Sequence, residues 1–113
     1  MEVLGIDVGG TTVKFGLVNE QGEIHSKQVF PTDEWEEKGF VTCLKHTIKE
    51  YLSNHNDVMK VGIGWPGLLS RDRYSVIQLP NIPSVQNVDV VREIQSLTPE
   101  VHVKMENDAS ALP

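Results

Sequence analysis

Three stretches carry residue types whose spacing could do chemistry: "GIDVGGTTVKFGLV" at 5–18, "LPNI" at 79–82 and "ENDAS" at 106–110. In the first, Gly9 and Gly10 allow a tight turn that a ligand can approach with no Cβ in the way. The turn's N–H groups and the Thr11 and Thr12 hydroxyls are donors suited to phosphate oxygens. Asp7 ends the preceding apolar run, and a carboxylate beside phosphates makes sense when Mg²⁺, keeping several waters, lies between them. Lys14, two residues beyond Thr12, shares its strand face. A plain Gly-Gly hairpin asks for none of this. What points to phosphate is Asp-x-Gly-Gly-Thr-Thr placed directly after an apolar strand.

In "ENDAS", Asp108 can accept a proton from a substrate hydroxyl while Asn107, with donors and an acceptor on one amide, orients that substrate. Capping a helix is the other use for an Asn-Asp pair, since both are preferred N-caps. Asn81 offers the hydrogen bonding a polyol requires, and a turn asparagine fits the same position. It lies in a segment, "GIGWPG" through "LPNIP", whose glycines and prolines suit a rigid rim; Trp65 could stack on a sugar or cover the core, and is assigned to the core. The four histidines share no metal-ligand spacing, and Cys43, on the apolar face of a helix, reads as an inert thiol.

The elements that must hold these residues follow from periodicity. Val3 to Val8 and Thr12 to Val18 form paired strands, and Ile24 to Phe30 adds a third after the turn Asn19-Glu20-Gln21-Gly22. From Asp33 onward, Phe40, Val41, Leu44, Ile48, Tyr51 and Leu52 recur at helical spacing, which predicts one helix capped by Thr32 or Asp33 and ended by residues 53–57. Val58 to Gly64 is a strand, followed by a long segment of no sustained period. Asn87 or Asp89 then caps a short helix turning Val90, Val91, Ile94 and Leu97 inward. Val101 to Met105 is a last strand. Three meandering strands followed by strand-helix alternation give an α/β fold, a mixed five-stranded sheet with flanking helices.

Composition fits one soluble domain: 113 residues, 39% hydrophobic and 23% charged. Sixteen acids against ten Lys and Arg give a formal charge of -6, which repels nucleic acid and anionic membranes. One cysteine rules out an internal disulfide framework. With no long apolar run and no basic leader, the expected location is the cytoplasm.

In order and spacing, "GIDVGGTTVKFGLV", "GIGWPG", "LPNI" and "ENDAS" together resemble the N-terminal lobe of a glucokinase-like sugar kinase of the ROK family (repressor, open reading frame, kinase), within the actin, heat-shock chaperone and sugar kinase superfamily. The resemblance implies a ribonuclease H-like lobe spanning 1–113 and a second, C-terminal lobe absent from this chain. It implies ATP-dependent phosphorylation of a hexose or N-acetylhexosamine hydroxyl by the complete enzyme. By position, Asp7 would help place Mg²⁺, Gly9 to Thr12 would contact ATP phosphates with Lys14 in support, Asn81 and Asn107 would hold the sugar, and Asp108 would be the base. Zinc would enter only through the missing lobe. The complete enzyme is expected to be a homo-oligomer, and this lobe alone nearly inactive and prone to self-association. Two residues depart from the family pattern: Thr12 stands where many members have lysine, and Ser110 replaces a second asparagine. Two other readings share the hairpin. A ROK sugar-sensing regulator would need a DNA-binding segment ahead of Met1, and an actin-like ATPase would have no use for Asn81, Asn107 and Asp108.

Overall fold

The computed structural model describes residues 1–65, 68–69, 76–78, 82–85 and 88–107, with the backbone alone at 68–69, 76–78 and 107. Its elements run β1 (Glu2–Val8), β2 (Thr12–Val18), β3 (Ile24–Pro31), α1 (Thr32–Lys38), α2 (Phe40–Asn54), β4 (Val58–Trp65), β5 (Leu68–Leu69), β6 (Val76–Gln78), a 3₁₀ turn (Pro83–Val85), α3 (Val90–Gln95) and β7 (His102–Asn107). Five strands form one mixed sheet, as the sequence predicts, and their order is β3-β2-β1-β4-β7. The first three are antiparallel neighbours, whereas β4 runs parallel to β1, and β7 parallel to β4. The segment expected to lack regular structure contains the small β5-β6 ribbon and the 3₁₀ turn.

Strand alternation divides the sheet into two unlike faces. Leu4, Ile6 and Val8, Val13, Phe15 and Leu17, Val61, Ile63 and Trp65, and Val103 and Met105 are buried in one cluster with Phe40, Leu44, Ile48, Val90 and Ile94 of the helices. On the other face, glycines meet across strands: Gly5 pairs with Gly16 of β2 and with Gly62 of β4. One row further along, Asp7 pairs with Lys14 and Gly64. Aromatic rings knit the helix layer to the sheet. Phe15 lies 5.6 Å from Tyr51, 5.7 Å from Phe30 and 5.9 Å from Trp35, centroid to centroid. Trp65 is a core residue, as expected, and its indole N–H donates to Met105 Sδ at 2.9 Å.

Three helix expectations are corrected. The long helix is two, because Gly39 at φ 105° breaks it; a positive φ is accessible to glycine and ends α-helical geometry. Neither Thr32 nor Asp33 caps α1: the N-cap is Pro31, with no side-chain cap hydrogen bond. Asp89 does cap α3, accepting from Arg92 N at 2.9 Å, but Leu97 lies past the helix and is 37% exposed rather than buried. Among the described residues no helix is long and apolar enough to cross a membrane.

Phe15→Ala should remove three ring contacts at once and cost about 3–5 kcal/mol in urea unfolding, as for large aromatic truncations in cores. Tyr51 gives a separate, pH-dependent expectation. Its hydroxyl donates to Ser26 O at 2.6 Å, and burial raises its pKa above the ordinary tyrosine value. The folded state therefore holds this proton more tightly than the unfolded chain. That stability is present below about pH 10 and is lost as pH rises through the elevated folded pKa. Alkaline unfolding curves of Tyr51→Phe should lack this part of the fall.

Candidate functional site

The hairpin between β1 and β2 is closed by Gly9 N donating to Thr12 O at 2.8 Å. A Cβ added at Gly9 would sit 3.0 Å from that same Thr12 oxygen, so a side chain there forces backbone to move. The glycine is needed for close approach of chain to chain. Gly10 and Thr11 lie exposed at the tip, and Thr12 opens β2.

The turn is braced from outside. Thr32, at the junction of β3 and α1, donates its backbone N–H to Thr11 O at 2.9 Å and its hydroxyl to Gly9 O at 2.9 Å. Its side chain is buried, at 1% exposure. Sequence reading had Thr32 as a cap candidate; the hydroxyl turns instead toward the glycine loop. The only local signal was a hydroxyl residue directly after "FP" at the end of an edge strand.

Asp7, at the carboxyl end of β1, is half-buried beside its β2 neighbour Lys14, which is exposed. Both line a cavity of about 310 Å³ together with Lys27, Gln28 and Val29 of β3. Lys27 was not singled out from sequence. It follows Ser26, whose φ of 53° lies in a stretch where the β2-β3 register shifts. An irregularity of this kind re-aims the residues beyond it, and nothing in the sequence announces its position.

The parallel register relates this corner to the other motif. Asp7 pairs with Gly64, Gly64 with Glu106, and Trp65 with Asn107. With strands about 4.8 Å apart, the backbones of Asp7 and Glu106 are about 10 Å from each other along the same carboxyl edge. The glycine hairpin and the Asn107 end of β7 thus share one edge of the sheet. Asn81, Asp108 and Ser110 lie outside the described residues. No group of three or more His, Cys, Asp or Glu side chains suited to holding a metal occurs among the described residues.

A mixed sheet with meander, flanking helices and a glycine hairpin at its carboxyl edge defines an α/β fold of the actin-like class. The chain belongs to the ROK family, whose pattern matches residues 3–113. It is 36% identical over 112 residues to a glucokinase of Thermotoga maritima, an alignment covering 98% of this chain and 35% of the relative. Among solved structures, a candidate sugar kinase from Cytophaga hutchinsonii superposes with a TM-score of 0.89 at 52% identity, over 95% of this chain and 36% of that one. A ROK glucokinase from Streptomyces griseus, solved with glucose and AMPPNP, gives 0.78 at 28% identity, over 95% of this chain and 33% of that one. The chain thus spans about a third of the length of these proteins.

Gly9→Ala should destabilise the fold by about 1–3 kcal/mol, the range for forcing added volume into a closed site. Thermal unfolding checks this, with Gly22→Ala as a contrast. At Gly22 a Cβ meets nothing within 4 Å, and the strain there comes only from its φ of 82°.

Proposed function

We propose that this chain is the phosphate-binding first lobe of an ATP-dependent sugar kinase, which transfers the γ-phosphoryl group to a hydroxyl of a hexose or N-acetylhexosamine. The observation that carries the reading is the shared edge: the braced Gly9–Thr12 turn and the Asn107 end of β7 flank one side of the sheet. A glycine turn there can offer N–H donors to a nucleotide's phosphates, while a polar strand end two strands away can address an acceptor alcohol. The likeness to a ROK glucokinase solved with glucose and AMPPNP supports both halves.

In this reading Gly9, its own N–H held by Thr12 O, lets the turn approach the phosphates, Gly10, Thr11 and Thr12 donate to them, and Lys14 adds a positive charge on the adjoining face. Asp7 would help hold a Mg²⁺ ion, which would supply charge neutralisation on the phosphate oxygens. Asn81 and Asn107 hold the sugar. Asp108 accepts the proton of the attacking hydroxyl as its oxygen bonds to the γ-phosphorus and the bond to the bridging oxygen of ADP breaks. A carboxylate is a weak base, which suits a loose transition state in which positioning the nucleophile matters more than early deprotonation. The enzyme acts in the cytoplasm, as a homo-oligomer, on small molecules. Its remaining nucleotide and sugar contacts come from outside these 113 residues, so this lobe alone should turn over very slowly.

Asp108→Asn in the complete enzyme should lower kcat by roughly 10²–10⁴ while binding of glucose and AMPPNP persists, the range for loss of a general base. Steady-state kinetics with a sugar panel and Mg-ATP make the test. A near-normal rate removes Asp108 from this role, and nucleotide binding without phosphorylation of any sugar favours an actin-like ATPase instead.

A further inference from the structure

We infer that Thr32 is a positioning residue for the nucleotide's phosphates, acting through the Gly9–Thr12 turn; the inference rests on the kinase reading above. Thr32 makes two hydrogen bonds to the turn, N–H to Thr11 O and hydroxyl to Gly9 O, both at 2.9 Å. A peptide unit is planar, and in the trans form its C=O and N–H point in opposite directions. No cis peptide bond occurs among the described residues. Holding Gly9 O therefore fixes the direction of the Gly10 N–H, and holding Thr11 O fixes that of the Thr12 N–H. Both amides are aimed away from Thr32.

Without this clamp a Gly-Gly turn is the least suitable backbone for holding donors in place. Glycine loses more conformational freedom on ordering than any other residue, and each peptide plane in the turn can rotate at small steric cost. Thr32 supplies the missing rigidity from a neighbouring element. Its own place is fixed: it is 1% exposed, two residues after Phe30 and three before Trp35, whose rings lie 5.0 Å apart. The hydroxyl also makes no helix cap, although Thr32 opens α1 and no other side chain caps that helix. Its bond goes to the loop. Donors set before the ligand arrives bind phosphate without a reorganisation cost at that moment.

The test uses the complete enzyme in three forms: wild type, Thr32→Val and Thr32→Ser. Valine keeps the shape and the backbone bond to Thr11 and removes only the hydroxyl; serine keeps the hydroxyl. Thr32→Val should raise the KM for ATP and the Kd for AMPPNP by about 3- to 10-fold, the worth of one hydrogen bond. The sugar KM should stay within about twofold, and Thr32→Ser should restore nucleotide affinity while tolerating a lower Tm. A Thr32→Val enzyme that loses Tm but keeps its ATP and sugar KM overturns the inference, and so does failure of serine to rescue. Should the valine variant not fold, amide hydrogen exchange on wild type decides. AMPPNP should slow exchange at Gly10 and Thr12, and unchanged exchange at both amides overturns the inference. A wild-type enzyme that does not bind AMPPNP at all sinks the kinase reading itself, and this inference with it; normal wild-type binding with an indifferent valine variant sinks the inference alone.

Discussion

The constraint on which the molecule depends is the double pairing of β1, antiparallel to β2 on one side and parallel to β4 on the other. An antiparallel partner can follow through a tight turn, whereas a parallel partner requires a long crossover. Here β2, β3, α1 and α2 fill the crossover between β1 and β4. The arithmetic of direction then leaves no freedom. The turn after β1 must lie at its carboxyl end, and the carboxyl ends of β4 and β7 must lie beside it. The glycine turn and a polar strand end come together because of topology, before any side chain contributes. Open α/β sheets place ligands at such carboxyl edges for the same reason.

Topology places the turn but does not stiffen it; packing does that. Phe15, on β2, contacts Phe30 of β3, Trp35 of α1 and Tyr51 of α2. Trp35 in turn meets Phe40 at 5.5 Å, and Phe40 meets Trp65 at 6.1 Å. This chain of rings runs from the edge strand through both helices to the central sheet. Thr32 sits inside it in sequence, and its two hydrogen bonds carry that rigidity to the glycine loop. The apolar core and the polar turn are thereby one mechanical unit, joined at a single buried hydroxyl residue.

What could be read from sequence follows the same division. The meander, the order of elements and the mixed five-stranded sheet were legible, because alternation and β-branched content are local properties. So was the Asp89 cap, where an acid stands directly before an apolar run. The break at Gly39 was missed because Phe40 to Leu52 continues a helical period strong enough to mask a single glycine upstream. Thr32 was misread for a different reason: a threonine before a helix has a local use, and its real partners, Gly9 and Thr11, are more than twenty residues away. The β-irregularity at Ser26, which brings Lys27 to the cavity of Asp7 and Lys14, has no sequence signature at all. Local grammar records what a residue can do; only the sheet order says which distant residue it does it to.

The charge balance sharpens the proposed chemistry. A chain with a formal charge of -6 gains nothing from its overall field in binding a polyphosphate. At physiological ionic strength exposed charges beyond about 8 Å are largely screened, so distant acids matter little and contact groups decide. Where many ROK members have lysine this chain has Thr12, a neutral donor. Lys14 and Lys27 stand on the adjoining face rather than in the turn. In the proposed kinase, recognition at the turn would rest on oriented neutral donors, whose attraction to phosphate is directional and falls off steeply with misalignment. A site built this way depends on geometry more than one built on cations does. That is the physical reason a buried threonine that holds two peptide planes in place can matter as much as any residue touching the ligand.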